Sequence, residues 1–177
     1  MKLSDKSIKA INDIVPKKEQ QAFLNLVISK GLEEYKAEHA DMVEVFIDGG
    51  SRGNPGSSGG GFGVFANGKL IHEGSEYFGN QTNNQAEYLA LRLALREIYD
   101  KFGSIKIHCY MDSKLVVEQM NGNYKVKSKN VRPLFDDVSK IAEQFAEFKI
   151  KHVMREQNQL ADKLANEAMD QRRTSAT

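Results

Sequence analysis

Alternating apolar and polar residues predict three consecutive strands, the first beginning at Val43. Apolar residues occupy positions 43, 45 and 47, and this strand ends in the carboxylate of Asp48. Seven of the 14 glycines follow within Gly49–Gly61, which predicts a loop whose backbone a bulky partner can approach closely. Asn67-Gly68 is a two-residue turn signal between two further β-rich segments. The pattern therefore predicts a meander of strands at about 43–48, 61–66 and 69–78.

Helical periodicity replaces the strand alternation after residue 82. A largely apolar helix, capped by Asn83 or Asn84, is expected to run to about Phe102, where Gly103 ends it. The next strand ends in Asp112. The remaining predicted elements are a helix beginning at Lys114, a helix at 134–145, a strand at 147–153 and a helix at 160–171. The order β-β-β-α-β-α-α-β-α is typical of a mixed sheet with helices covering its faces.

The first 40 residues carry apolar positions at the spacing of two helices. We expect residues 1–40 to form a helical extension, 41–171 to form the main domain and 172–177 to form a frayed tail. No side chains in the extension converge on chemistry. Two interpretations stay open for it: a hairpin that packs on the main domain or pairs two copies into a homodimer, and a small nucleic-acid-binding or targeting module.

Composition and charge exclude several classes of function. No apolar run reaches the roughly 20 residues of a membrane span, so we expect no membrane partner. The formal net charge is +1, so binding of nucleic acid would depend on a local patch or a metal site. The single cysteine, Cys109, excludes an internal disulfide, and no signal-peptide pattern is present. We therefore expect a cytoplasmic protein.

Four acidic residues occupy similar places in the predicted elements. Asp48 and Asp112 end strands, whereas Glu87 and Asp162 lie in the first turns of helices. If the two strands are parallel neighbours, their carboxylates meet at one edge of the sheet. The alternative for Asp48 is that Asp-Gly simply begins a surface turn. The alternative for Glu87, on the apolar side of its helix, is pairing with an arginine, although no basic residue lies one turn away at 83, 84, 90 or 91.

Four crowded carboxylates repel one another unless a cation lies between them. Carboxylate oxygens suit Mg²⁺ or Mn²⁺, which keep open positions for water and phosphate. Two such ions roughly 4 Å apart would bracket a phosphodiester.

Four segments of the sequence resemble the type 1 ribonuclease H family, in the family's order. They are FIDGGSRGNPGSSGGG, TNNQAEYLALRLAL, YMDSKLVV and VMREQNQLADKLA, and the resemblance covers about 43–169. It implies an α/β, ribonuclease H-like five-stranded mixed sheet (β-β-β-α-β-α-β-α) with helices on both faces and with strands 1 and 4 parallel and central. It also implies hydrolysis of the RNA strand of RNA/DNA hybrids to 5′-phosphate and 3′-hydroxyl ends. The implied cofactors are two Mg²⁺ ions per site with substrate, or Mn²⁺ as a substitute.

The resemblance also implies roles for individual residues. The catalytic and metal-binding acids would be Asp48, Glu87, Asp112 and Asp162. The residues implied to contact the hybrid are Gly49, Gly50, Asn54, Thr82, Asn83, Asn84 and Ser113. Asn158 would orient the segment that carries Asp162.

Two segments differ from the best-known bacterial members. Asn121–Pro133, called here the basic connection, is shorter than their basic, tryptophan-containing protrusion, and the chain has no Trp. Its four cations are either a solvated charge run or contacts to about two to four phosphates; they are Lys125, Lys127, Lys129 and Arg132. The short MREQN loop resembles the archaeal-like branch and lacks the histidine that many members carry there. We expect His152 to belong to the preceding strand, and Arg155 or Glu156 to replace that histidine.

Two other functions remain open at this point. A binding or scaffold protein could keep the fold without catalysis, although the presence of all four acids argues against it. A nuclease of broader specificity could also cleave double-stranded RNA or Holliday junctions.

Overall fold

The computed structural model describes residues 13–28 and 41–174, the side chains as far as residue 170. The chain divides into two compact units, Met1–His39 and Ala40–Thr177. In the first unit, Lys17–Glu19 form a short 3₁₀ helix, and residues 20–28 are helical. The rest of the predicted extension, and the residues after 174, lie outside the described part of the chain.

The second unit contains one five-stranded sheet and four helices among its described residues. The strands are β1 (Met42–Gly53), β2 (Gly56–Ala66), β3 (Lys69–Gln81), β4 (Lys106–Met111) and β5 (Glu147–His152). The helices are α1 (Asn83–Phe102), α2 (Lys114–Met120), α3 (Arg132–Ala142) and α4 (Gln159–Thr174). This element order is the predicted one. Helix α4 runs three residues beyond the predicted end at residue 171, into the predicted tail.

The sheet is mixed, in the order β3-β2-β1-β4-β5. Strand β2 runs antiparallel to both β1 and β3. Strand β4 runs parallel to both β1 and β5. The prediction of a five-stranded mixed sheet with the first and fourth strands parallel and central is therefore confirmed.

The expected glycine-rich loop is instead a long hairpin, and this prediction was wrong. Strands β1 and β2 stay paired in register from Glu44–Phe65 to Gly53–Gly56, so the glycines lie inside the sheet. The reason is close packing of helices on both faces. A Cβ at Gly49 would clash with the backbone of α1, and one at Gly61 would lie 2.7 Å from the Ala165 nitrogen of α4. Glycine is needed here for the close approach of strands and helices rather than for a turn.

Helices α1 and α4 cover opposite faces of the sheet. On β2, Gly60 approaches Ala90 of α1, whereas Gly59 approaches Ala165 and Ala168 of α4. The N-cap of α1 is Thr82, which forms a capping box with Gln85, and not Asn83 or Asn84 as predicted. The helix therefore begins at Asn83 and buries Leu91, Leu95 and Ile98 completely in the core. Cys109 of β4 is also fully buried.

None of the helices in the described ranges is long and apolar enough to cross a membrane.

Candidate active site

Three carboxylates meet where the pairing of the two central strands, β1 and β4, ends. Strand β1 itself continues to Gly53, so the prediction that Asp48 ends its strand was wrong, because β1 stays paired with β2 beyond that point. Ligand oxygens of Asp48, Glu87 and Asp112 all lie within 4.8 Å of one another. They line a cavity of about 300 Å³. Residue Asp162 of α4 lines the same cavity but does not belong to this close group.

Strand register brings the two aspartates together. Strands β1 and β4 are parallel, and Ile47 lies opposite Met111. The next residue along each strand is therefore Asp48 on one and Asp112 on the other, at the same sheet end. The predicted meeting of these two side chains thus follows from a single parallel pairing.

Close packing of α1 on β1 brings Glu87 to the aspartates. Gly49 lies against the α1 backbone at Ala86 and Glu87, where any side chain would collide. Glu87 is only 7% exposed, as its place on the apolar side of the helix indicated. No arginine pairs with it among the described residues, so the alternative of a structural ion pair is excluded for them.

Burial and mutual repulsion raise the pKa of two of these carboxyl groups, those of Asp48 and Glu87. Burial raises the pKa of Asp48 to about 7, and the charges of Asp112 and Asp162 act in the same direction. Burial also raises the pKa of Glu87 well above its ordinary value, with further contributions from Asp48 and Asp112. The Gly49 N–H and the Ser113 hydroxyl donate hydrogen bonds to Glu87 and oppose that shift.

The donor set fits a divalent cation. One buried oxygen of Glu87, Oε2, has no hydrogen-bond partner in the part of the chain that the structure describes. An unpaired buried carboxylate oxygen is costly, and a hard cation among three carboxylates would remove that cost. Asp48, Glu87 and Asp112 are thus the residues that could hold a first ion, and Asp162 lies beside them for a second.

Asp162 differs from the other three acids because it already has a cationic partner. Its Oδ1 accepts a hydrogen bond of 2.5 Å from Arg155 Nη2. Arg155 belongs to a 3₁₀ helix, Arg155–Gln157, that replaces the predicted loop. His152 lies in β5, as expected, with Nε2 3.2 Å from the carbonyl oxygen of Asp112. Glu156 is exposed and contacts none of the four acids through a hydrogen bond.

Asn158 connects three of the acids through its buried side chain and backbone. Its Nδ2 donates to the Ile47 carbonyl oxygen at 2.9 Å and to Asp112 Oδ1 at 3.4 Å. Its own carbonyl oxygen accepts from the Asp162 N–H at 3.0 Å. Asn158 is 1% exposed, so these contacts are protected from water. The geometry supports the predicted orienting role and extends it to the Asp48 and Asp112 strands.

Of the amides predicted to contact the hybrid, called here the rim amides, Asn83 lines the cavity and Asn54 is hydrogen-bonded to it. The Asn54 Oδ1 accepts from the Asn83 N–H at 3.1 Å, and the Asn83 Oδ1 accepts from the Ser51 N–H at 3.3 Å. Asn84 is exposed beside them. Thr82 donates to Gln85 Oε1 at 2.8 Å as part of its cap. The hairpin end and the start of α1 are therefore tied together.

The basic connection divides into free lysines and a bound arginine. Lys125, Lys127 and Lys129 are exposed. Arg132 instead donates to Asp136 at 2.9 Å, and its guanidinium lies 5.5 Å from the centre of the Phe135 ring. The three lysines are thus available for phosphates, whereas Arg132 would first have to leave its partners.

Sequence reasoning missed four residues that line the cavity: Ser51, Arg52, Asn166 and Met169. Arg52 pairs with Asp170 of α4 at 2.5 Å, and Asn166 donates to Asp162. For Asn166 a signal existed, because it lies four residues after an implied ligand on the same helix face. The positions of Arg52 and Met169 at the cavity depend on tertiary packing, so no sequence pattern indicated them.

Comparison with known proteins places the chain in a family. A family model described as "Reverse transcriptase-like" matches residues 47–168. A bifunctional protein of Mycobacterium tuberculosis is 41% identical over 136 residues, which are 76% of this chain and 37% of that protein. The chain thus spans well under half the length of this relative. Ribonuclease HI of Halobacterium salinarum is 40% identical over 134 residues, or 75% of this chain and 67% of that protein.

Solved structures agree with the sequence matches. The crystal structure of RNase H1 from Halobacterium salinarum has a TM-score of 0.71 and 38% identity, covering 73% of this chain and 98% of that one. LC11-RNase H1, solved in complex with an RNA/DNA hybrid, has a TM-score of 0.69 and 40% identity, covering 73% and 97%. These matches show that the chain belongs to the type 1 ribonuclease H family.

Proposed function

We propose that this protein is an endoribonuclease that hydrolyses the RNA strand of RNA/DNA hybrids with the help of divalent cations. The observation that carries this proposal is the cluster of Asp48, Glu87 and Asp112 within 4.8 Å, with one Glu87 oxygen buried and unpaired. The similarity to LC11-RNase H1, which was solved with an RNA/DNA hybrid, supports the choice of substrate.

The four acids would divide between two ions, Mg²⁺ or its substitute Mn²⁺. Asp48 and Asp112 would be the central ligands, Glu87 would hold one ion, and Asp162 would complete the second site. When bound, the ions supply electrostatic stabilisation of the scissile phosphate and lower the pKa of the attacking water. Products with 5′-phosphate and 3′-hydroxyl ends are part of the proposal.

The chain's own donors fix the acids before substrate arrives. The Gly49 N–H and the Ser113 hydroxyl hold Glu87, and Asn158 holds Asp112 together with Ile47, the residue of β1 that precedes Asp48. Preorganised groups need little rearrangement during the reaction, which is a large part of catalytic stabilisation. Glu87 would also help to position the RNA 2′-hydroxyl group.

The rim amides are arranged to donate hydrogen bonds to the hybrid. Asn54 and Asn83 both use their carbonyl oxygens to hold the hairpin end, which leaves their NH₂ groups for an incoming ligand. Sugar hydroxyls and the minor-groove edges of bases offer acceptors to such donors. Asn84, Thr82 and the backbone of Gly50 would complete this surface, with Thr82 near a DNA phosphate.

Two further groups would tune binding and turnover. The exposed lysines of the basic connection would contact phosphates and raise affinity in a salt-dependent way. Arg155, and less directly Glu156, would take the place of the histidine that many members carry before the last acid. The contact of Arg155 with Asp162 Oδ1 supports Arg155 over Glu156 for this role.

We also propose a separate role for each of the two regions of the chain. Residues 41–171 would carry the chemistry, and the family match at 47–168 lies within them. Residues 1–40 would serve homodimer formation or nucleic-acid binding; light scattering of the full chain with and without hybrid distinguishes the two. A cytoplasmic location is proposed because the single cysteine, Cys109, excludes an internal disulfide, and disulfides are rare in proteins of reducing compartments.

The test is cleavage of an RNA/DNA hybrid labelled at both ends of the RNA strand, with Mg²⁺ or Mn²⁺. We expect cleavage by the wild type and a loss on the order of a thousandfold or more in Asp112→Asn, because one central ligand is removed without a change of shape. Product ends are identified by whether polynucleotide kinase can label them only after phosphatase treatment.

Asp100→Asn is the matched control, since Asp100 is an exposed aspartate on α1 outside the cavity. It should leave the rate unchanged. A wild type that binds the hybrid but cleaves nothing with either ion would overturn the proposal in favour of a binding protein. Equal cleavage of double-stranded RNA would replace it by a nuclease of broader specificity.

A further inference from the structure

Asp162 is held by two different donors, one on each carboxylate oxygen. Arg155 Nη2 donates to Oδ1 at 2.5 Å. On the other side, Asn166 Nδ2 donates to Oδ2 at 3.3 Å and to the Asp162 carbonyl oxygen at 2.8 Å. Asp162 therefore has one cationic donor and one neutral donor.

The two donors differ in how firmly they are fixed. The Arg155 side chain is 72% exposed and reaches Asp162 from a separate 3₁₀ helix. Asn166 is half-buried, has a short side chain and lies on the same helix as Asp162, one turn further on. Its second bond to a helix carbonyl fixes its rotamer. Arg155 can thus be displaced without disturbing α4, whereas Asn166 stays in place.

The neutral donor, Asn166, also limits how many oxygens of Asp162 the Arg155 guanidinium contacts. Arginine binds a carboxylate most strongly when two N–H groups meet both oxygens in a planar fork. Asn166 donates to Oδ2 and to the Asp162 carbonyl oxygen, which fixes the rotation of the carboxylate, and in that orientation Arg155 meets only Oδ1. A single charged hydrogen bond to an exposed arginine is easier to exchange for another cation.

We propose that Asn166 is a positioning residue that keeps the Asp162–Arg155 pair on one oxygen, so that a divalent cation can replace Arg155 at Oδ1. The inference rests on the proposed function, in which Asp162 completes the second ion site. It assigns Asn166 no contact with substrate. Loss of its amide lets the carboxylate rotate and present both oxygens to Arg155, and the bidentate pair then competes more strongly with the ion.

The test is a double-mutant cycle of Asn166→Ala and Arg155→Ala, read by calorimetric titration with Mn²⁺ in the absence of nucleic acid. Asn166→Ala should weaken binding of Mn²⁺ at the lower-affinity of the two sites roughly three- to tenfold, because the substitution strengthens the competing ion pair between Arg155 and Asp162. In the Arg155→Ala background the same change should weaken it less than twofold, since the competitor is gone. Equal losses in both backgrounds would overturn the inference.

Cleavage assays supply the second readout. For Asn166→Ala we expect a higher half-saturating Mn²⁺ concentration, with kcat at saturating Mn²⁺ within about twofold of the wild type. A lower kcat at saturation with unchanged Mn²⁺ dependence would contradict the positioning role. Glu167→Ala is the control, because Glu167 is the next residue on α4 and, among the described residues, forms its ion pair with the exposed Lys163. If Asn166→Ala does not fold, Asn166→Ser carries the same cycle.

The failure of this inference and that of the proposed function can be told apart. A wild type that binds Mn²⁺ at two sites but cleaves no hybrid would refute the function alone. A wild type that cleaves hybrid, with no coupling between positions 155 and 166, would refute the inference alone.

Discussion

The acidic end of the sheet and the basic connection carry opposite charges and are built in opposite ways. Asp48, Glu87 and Asp112 are fixed by strand register and by the contact of Gly49 with α1. The basic connection instead presents exposed lysines on a segment without regular secondary structure. Packing between elements fixes the positions of the acids, whereas the lysines of the basic connection are described only by their charge and their exposure.

Because of this difference, we expect the acidic end to determine the chemical step and the basic connection to determine affinity for the substrate. Changes at the acidic end should alter stability, protonation and turnover together, because the same contacts support all three. Changes in the basic connection should alter substrate binding and leave the fold and the chemical step intact. Three experiments test that separation, in order of decreasing expected effect.

The first experiment breaks the packing beneath the acids. In Gly49→Ala, the new methyl group would clash with the Ala86 carbonyl oxygen and lie 2.7 Å from the Glu87 nitrogen, both of them backbone atoms. Strand β1 and helix α1 must then separate. We expect a loss of about 3 kcal/mol in the free energy of unfolding, measured by urea denaturation, and a large loss of activity as Glu87 moves.

Gly50→Ala is the matched control one residue along the strand. Its Cβ would meet only the Met169 side chain, at an ordinary 3.8 Å, so stability should change by no more than about 0.5 kcal/mol. Similar losses in the two variants would show that strand conformation, and not contact with α1, makes Gly49 necessary.

The second experiment uses pH to vary the repulsion among the acids. Burial raises the pKa of Asp48 from 3.8 to about 7, so the folded protein binds this proton more tightly than the unfolded chain does. The resulting stabilisation is complete below pH 4 and is lost as the pH rises through 7. Without divalent ions, deprotonation of Asp48 should therefore make Tm fall by several degrees as the pH rises from 5 to 8.

Asp48→Asn isolates that contribution, because an amide neither titrates nor repels its neighbours. We expect its Tm to fall less with pH than that of the wild type over the same range. Saturating Mg²⁺ should flatten the wild-type curve in the same way. A variant whose Tm follows the wild-type curve throughout would show that Asp48 is not the group that responds to pH.

The third experiment neutralises Lys125, Lys127 and Lys129 together. Since these side chains are exposed, Tm should stay within a few degrees. Loss of up to three phosphate contacts should raise KM roughly tenfold and lower the salt exponent by about 1 to 3, with kcat nearly unchanged. The measurement is steady-state cleavage of hybrid at several salt concentrations.

A control triple variant has the same change of net charge at the far end of the sheet: Lys69→Ala, Lys106→Ala and Lys140→Ala. Lys69 and Lys106 begin β3 and β4, away from the acids. If the control raises KM equally, overall charge and not the basic connection attracts the hybrid. A fall in kcat alone in the first variant would show a role in the chemistry.

Much of the fold follows from local patterns in the sequence. The alternation in Val43–Asp48 and the long apolar stretch before Phe102 depend on periodicity, which is visible in a single chain. The same patterns placed Glu87 in the first turns of its helix and Asp112 at the end of its strand, whereas β1 continues beyond Asp48 to Gly53. The glycines could not be interpreted in this way, because packing against α1 and α4 leaves no mark on sequence periodicity.

The sequence by itself determined which acids exist, on which elements they lie, and which family their motifs resemble. Only the tertiary structure decided their different states. Burial by neighbouring elements raises the pKa of Asp48 and Glu87, whereas Asp162 meets Arg155 from another element and Asn166 from its own. The physical reason is that periodicity acts within one element, whereas desolvation and ion pairing depend on distances between elements far apart in sequence.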